Sequence, residues 1–341
     1  MRRLAWAATL IVLVLGGQGF AQQTPSLETT RTKPALTGDD LRIVTDWVKF
    51  YVNQIVTNTD PDRRGMVAAK DTILSEVRST GASPAFRQAL GECIVTAVKE
   101  FEKKAISQEA RTNLFMLLAE LRSPEAVPLL VTALERDPYP ASRYWAARGL
   151  NLAADVVLEK VNPRLEQDMS VAAGKAFETE PPSAVAYLLL EMLGKFDHEA
   201  AHDVLAASVI KFVQKAPASD PVAAQAFIQA VASLEKAYAK EVRPEGKVLV
   251  LTAYAWMCAW LMPPAADPAL TANLNASLEK ITGEKVGFPT SGDPVAEKMA
   301  LVEWVEKLVR DKKIPKRPTL PPVVEDAVKE LRSALTGGAK P

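Results

Sequence analysis

Prolines in this chain repeatedly stand directly after a serine or an aspartate, as in Ser83-Pro84, Ser123-Pro124, Asp137-Pro138, Asp220-Pro221, Asp267-Pro268 and Asp293-Pro294. A serine or aspartate side chain accepts hydrogen bonds from the free amides of a first helical turn. Proline at the next position loses nothing, because its missing N–H has no intrahelical partner. These pairs predict helix starts repeated along the chain, with short amphipathic helices between them. The segment DDLRIVTDWVKFYVNQIV fits, placing Leu41, Val44, Trp47, Val48, Tyr51, Val52 and Ile55 on one face at three- and four-residue steps. No stretch alternates apolar and polar residues as a strand does, so the expected fold class is all-α.

Regular punctuation of this kind calls for a search for internal repeats. The clearest unit is Arg111 to Leu150, which reads as helix, Ser-Pro-Glu turn, helix, Asp-Pro turn, helix. A second copy of the turn lies in YLLLEMLGKFDHEAAHDVLAASV, once Lys195 and Phe196 are allowed as two extra residues. There Asp197 aligns with Ser123, His198 with Pro124, and Glu199-Ala200 with Glu125-Ala126. Helical segments at 222 to 240, 247 to 262, 267 to 281 and 294 to 311 continue the array.

The first unit resembles HEAT repeats, particularly the short bacterial kind also found in phycobilisome lyases. The residues that carry the likeness are Leu118, Leu121, Pro124, Glu125, Ala126, Val127, Leu130, Asp137, Pro138, Arg143, Ala146, Ala147 and Leu150. Arg148-Gly149-Leu150 departs slightly from that family's usual alanine-leucine-glycine end. The resemblance implies an α-α superhelix, a solenoid over residues 38–311 whose stacked helix pairs offer a surface to a protein or peptide partner.

The two ends of the chain read differently. Arg2 and Arg3, the apolar run Leu4 to Leu15 and the small residues around Gly19-Phe20-Ala21 form a signal peptide over 1–21, cleaved after Ala21. The expected location is periplasmic or secreted. Residues 22–37 read as a polar, flexible leader. Residues 312–341 read as a basic, proline-rich linker followed by a short helix from Val323 to Leu335, ending at Thr336-Gly337-Gly338. The uncharged run at 248–262 is short for a membrane span and ends at Pro263-Pro264, so it is expected to be a buried helix. No stable membrane span is expected after signal cleavage.

Lysine plus arginine equals aspartate plus glutamate at 41 each. Loss of Arg2 and Arg3 leaves a net charge of −2, too small a field to draw in nucleic acid. Cys93 and Cys258 both lie in apolar helical patterns far apart in sequence, and are expected to stay unbridged. Most of the six tryptophans, Trp47, Trp145, Trp256, Trp260 and Trp304 among them, sit at core spacing and are expected to pack between helices.

One motif carries chemistry. His198-Glu199-Ala200-Ala201-His202 is the HExxH pattern of zinc metallopeptidases, and its histidines are the only two in the chain. Two histidines four apart on a helix can hold one zinc ion, while the glutamate polarises a metal-bound water. As catalytic residue that reading uses Glu199, with His198 and His202 as metal ligands and Glu235, Glu241 or Glu245 as a further ligand. Against it, the sequence has no substrate-holding edge strand, and Gly194-Lys195-Phe196-Asp197 makes the motif begin a helix. At about 100° per residue, Ala201, Val204, Leu205, Ser208, Val209 and Phe212 form the apolar side, His198 and His202 flank it, and Glu199 points nearly opposite. There is no Gly-x-Ser-x-Gly elbow, phosphate-binding loop or Cys-x-x-Cys. The leading expectation is therefore a scaffold without catalysis or cofactor, and the alternative is a zinc-dependent peptidase.

Overall fold

A computed structural model of the protein describes residues 26–101, 104, 106–180, 184–215, 221–261, 273, 276–281 and 283. Among these the chain forms α1 (Gly38–Thr57), α2 (Arg64–Val77), α3 (Pro84–Lys99), α4 (Gln108–Leu121), a 3-10 turn (Pro124–Ala126) and α5 (Val127–Arg136). It continues with α6 (Pro140–Glu159), α7 (Pro163–Thr179), α8 (Ala184–Leu193), α9 (Glu199–Lys215), α10 (Pro221–Lys240) and α11 (Pro244–Leu261). The fold is all-α, with no strand among the described residues.

The helices alternate between two rows. In one row α2, α4, α6, α8 and α10 pack each on the next. In the other, α1 packs on α3, α3 meets the 3-10 turn before α5, and α5, α7, α9 and α11 follow in order. Between the rows runs one connected apolar core, from Leu27 through Val48, Phe86, Leu118, Leu150, Leu190 and Phe227 to Tyr254. Of the repeat-unit residues, Leu118, Ala126, Val127, Leu130, Ala146, Ala147 and Leu150 lie in it. A side chain at Gly149 would come within 3.0 Å of the Ala119 backbone and 2.8 Å of Leu130, so α4 and α6 meet there at backbone distance. Residues 248–261 of the charge-free run lie in α11, where Val250, Leu251, Tyr254 and Met257 are buried. No helix among the described residues is long and apolar enough to cross a membrane.

Helix starts follow the expected chemistry at some positions and depart from it at others. Ser83 accepts from the Phe86 amide at 3.1 Å. Ser107 and Asn162 do the same for the third residues of α4 and α7. Asp137-Pro138, however, is not a helix start. Asp137 closes α5, its own amide donating to Ala133 O at 2.9 Å, and α6 begins two residues after Pro138, at Pro140. Aspartate serves either end of a helix, and a second proline three residues on takes the starting position.

The leader also differs from expectation. From Ser26 onward it is held to the body: Leu27 and Thr30 are buried, Arg31 pairs with Glu76, the Ser83 amide donates to Arg31 O at 2.9 Å, and Lys33 reaches Asp40 at 2.7 Å. One leucine in a polar segment was enough to anchor it against the core, a contact that local composition does not register. Cys93 is a free thiol beside Thr45. The segments expected to be a signal peptide, a helix at 294–311 and a terminal linker and helix lie outside the described residues, as does most of 267–281, where 273 and 276–281 are helical.

Between the rows, one polar device recurs. The fourth residue of a helix carries a base, and the base grips a buried carboxylate at the end of the helix that follows. Arg111 of α4 pairs with Asp137 at the end of α5, at 3.3 Å. Arg143 of α6 pairs with Glu180 at the end of α7, and also donates to Asp137 O at 2.9 Å. Lysines add a related contact: Lys215 donates to Phe177 O and Glu178 O, and Lys236 to Gly194 O and Lys195 O, placing positive charge on the free carbonyls that end α7 and α8. Glu180→Ala leaves Arg143 half-buried without its carboxylate, and a charged hydrogen bond lost in such a place costs about 2–3 kcal/mol. Urea denaturation should show that loss, with an unchanged slope against denaturant.

Candidate functional site

The HExxH segment joins α8 to α9, and each of its three polar side chains meets a neighbouring group. Helix α9 begins at Glu199, one residue later than the alignment with Pro124 implies. His198 therefore stands outside the helix as its cap, with Nδ1 accepting from the Ala201 amide at 3.2 Å. Asp197, expected to be the cap, turns instead to Lys240 at 2.7 Å. Imidazole is wide enough to reach the third amide from this position, while the lysine on α10 offers Asp197 a full charge.

The helical-wheel reading of α9 agrees with the structure in part: Val204 is only partly buried, Ala206, Ile210 and Val213 are buried as well, and His202, expected at the border, lies inside. Ala201, Leu205, Ser208, Val209 and Phe212 are buried, and Phe212 sits between the rings of Phe177 and Phe227. His202 is 4% exposed, His198 30% and Glu199 59%.

His202 is the fourth residue of α9, and it repeats the device seen at Arg111 and Arg143. Its Nδ1 lies 3.2 Å from Oε2 of Glu241, the buried residue that follows α10. Since that carboxylate accepts, Nδ1 carries the proton. Arg243 completes the cluster. It donates to Glu241 through Nη2 at 2.8 Å and Nε at 3.1 Å, forks onto both oxygens of Asp203 at 2.9 and 3.1 Å, and lies 3.3 Å from Glu199. Burial pushes the Glu241 carboxyl up, but the hydrogen bonds from the Arg243 side chain and backbone and from His202 outweigh it and hold the group at about 2. Gly246 makes room: a methyl group there would fall 2.5 Å from the Glu241 carboxyl carbon.

This arrangement bears directly on metal binding. A neutral imidazole carries one N–H, so with Nδ1 accepting from Ala201 the proton of His198 resides on Nε2. That Nε2 is buried, has no hydrogen-bond partner among the described residues, and lies 3.9 Å from Glu166 of α7. Capping by Nδ1 and ligation by Nε2 thus compete for the same ring. His202 keeps a free lone pair on Nε2, 3.9 Å from Asp197. Glu199 is turned to Arg243, away from a position between two ring nitrogens. Of the three glutamates considered as a further ligand, Glu241 meets His202 through Nδ1, and Glu235 pairs with Lys280. Among the described residues no three histidine, cysteine, aspartate or glutamate side chains come together as a metal-binding group.

The residues that sequence reasoning missed here are Arg243, Asp203 and Glu166. The Arg243-Pro244 step hints at a helix start, but nothing in the sequence tells which carboxylates an arginine will reach across 40 residues. No family model, curated protein or solved structure matches the chain.

The cap has a pH dependence. Burial lowers the pKa of His198 below its ordinary 6.5; Glu166 and Asp197 oppose this and His202 adds to it. Above about pH 6.5 the ring is neutral in both the folded and the unfolded chain, and the cap is intact. As pH falls through that value the unfolded chain takes up a proton that the folded chain refuses, so stability declines until the lower folded value is passed. His198→Asn keeps a capping oxygen without titrating. Denaturation at pH 7.5 and 5.5 should show a smaller loss on acidification in that variant, and equal losses in the two proteins would remove His198 from the account.

Proposed function

We propose that the chain is an exported α-α superhelix of HEAT-like helix pairs that binds a protein or peptide partner in the cell envelope and performs no catalysis. The observation that carries this reading is the recurrence at His202 of the base-to-carboxylate device present at Arg111 and Arg143. It makes the chain's one chemistry-bearing motif part of the joint between successive helices. The alternation of helices between two rows supports a stacked-repeat architecture, in which each helix pair buries its apolar face on its neighbours and leaves long polar surfaces for contact. The amino-terminal pattern supports export.

The experiment has two arms. The mature protein, tagged at its carboxyl end and used as bait in envelope extract, should recover the same specific partner across independent preparations; recovery of nothing beyond the untagged control overturns the scaffold. Metal analysis of the same protein beside His198→Ala tests the zinc peptidase. Stoichiometric zinc that is lost in the variant, together with peptide cleavage, would put the peptidase in the scaffold's place.

A further inference from the structure

The pairing rule between successive helices has an exception at α3. Its fourth residue is Arg87, the counterpart of Arg111, Arg143 and His202. The position that should answer it, the residue closing the next helix, holds Asp137 after α5, Glu180 after α7 and Glu241 after α10. After α4 it holds Arg122. A base therefore stands where the pairs of Arg111, Arg143 and His202 have their carboxylate.

Arg87 and Arg122 line one cleft of about 360 Å³ between α3, the 3-10 turn and the end of α6, and Lys160, which closes α6, lines it too. Among the described residues none of these three exposed side chains has a hydrogen bond or a carboxylate within 4 Å, although the charge of Lys160 is felt at Glu125. Arg122 also stands in the left-handed region, φ 50°, at a helix end where glycine is the cheapest residue. Apolar side chains from Leu90, Leu121 and Val156 form part of the wall.

We propose that this cleft takes the free carboxylate end of an extended peptide whose last side chain is apolar. The peptide carboxylate fills the place that Asp137, Glu180 and Glu241 fill elsewhere, bridging Arg87 and Arg122 by charge-assisted hydrogen bonds. Glu92 and Glu125 also line the cleft, so three cations face two carboxylates and one positive charge is left over, which matches a monoanion better than a phosphate dianion. Glu92 accepts from Gln88, and Glu125 from Ser123 and from its own amide, which leaves both with lone pairs for peptide N–H groups. A fatty acid shares the carboxylate and the apolar body but has no N–H to offer them. The size is that of a small-ligand site, enough for a chain end.

The proposal rests on the reading of the protein as a peptide-binding scaffold, and its test is separate from that reading. The full mature chain is titrated against a fluorescein-labelled hexapeptide ending in leucine, once with a free carboxylate and once as the amide. The acid should bind, and the amide about tenfold or more weaker, the scale of one lost charged hydrogen bond. Arg122→Gly should weaken the acid by a similar factor with an unchanged or higher melting temperature. Arg122→Glu should restore the internal pair with Arg87, raise the melting temperature and abolish binding. Equal binding of acid and amide, no binding of either, or unaltered binding by Arg122→Glu overturns the proposal. Binding of octanoate without binding of the peptide overturns the peptide as occupant. If any of these occurs while the envelope bait still recovers its partner, the cleft is wrong and the scaffold stands.

Discussion

The two rows of helices depend on how each helix end is closed against its neighbours. A helix that stops inside a packed assembly leaves carbonyl groups without partners, and the next helix begins with amides in the same condition. Here the residue that ends a helix is repeatedly a buried carboxylate, and the base that neutralises it comes from the fourth position of the preceding helix. A buried carboxylate alone is costly. Held by a guanidinium or an imidazole it fixes the spacing between two helix ends, something apolar packing sets less sharply because it has no preferred direction.

This places the polar chemistry of the molecule at the joints. Around Glu241 the joint is most elaborate: His202, the Arg243 side chain and the Arg243 amide all converge on one carboxylate, and Gly246 leaves space for it. The same guanidinium reaches Asp203 and Glu199 on α9, so one cluster ties α9 to the start of α11, the pair that also packs closely along its length.

The all-helical architecture was legible because its signals are local: apolar residues at three- and four-residue steps, and caps before prolines. Most of the face of α9 could be read for the same reason, but its buried side is wider than the wheel gave and takes in His202, Ala206, Ile210 and Val213. Asp137 was misplaced because aspartate followed by proline reads alike as the end of one helix and the start of the next, and only the position of Pro140 separates the two. The leader was misjudged because its anchor is a single leucine and two ion pairs with partners 45 and 7 residues away. A weak signal for the joints was present all along. Ser83 and Arg87, Ser107 and Arg111, and His198 and His202 are each four apart, but only the structure reveals that Arg111 and His202 meet a carboxylate and that Arg87 does not.

That spacing explains how a zinc-protease signature can arise in a helical joint. A cap sits one residue before the helix, and the base that grips the neighbouring carboxylate sits at the fourth helical position, so the two roles are always four residues apart. Where serine caps and arginine grips, as at Ser107 and Arg111, the pattern passes unnoticed. Histidine can do both jobs, accepting through Nδ1 as a cap and donating through Nδ1 as a grip, and Glu199 in the first turn is favoured by the helix dipole. HExxH at this place follows from three ordinary demands of a helix start. The two rings are in opposite tautomers for that reason, Nε2–H in His198 and Nδ1–H in His202, whereas two histidines sharing one zinc through Nε2 would need the same one.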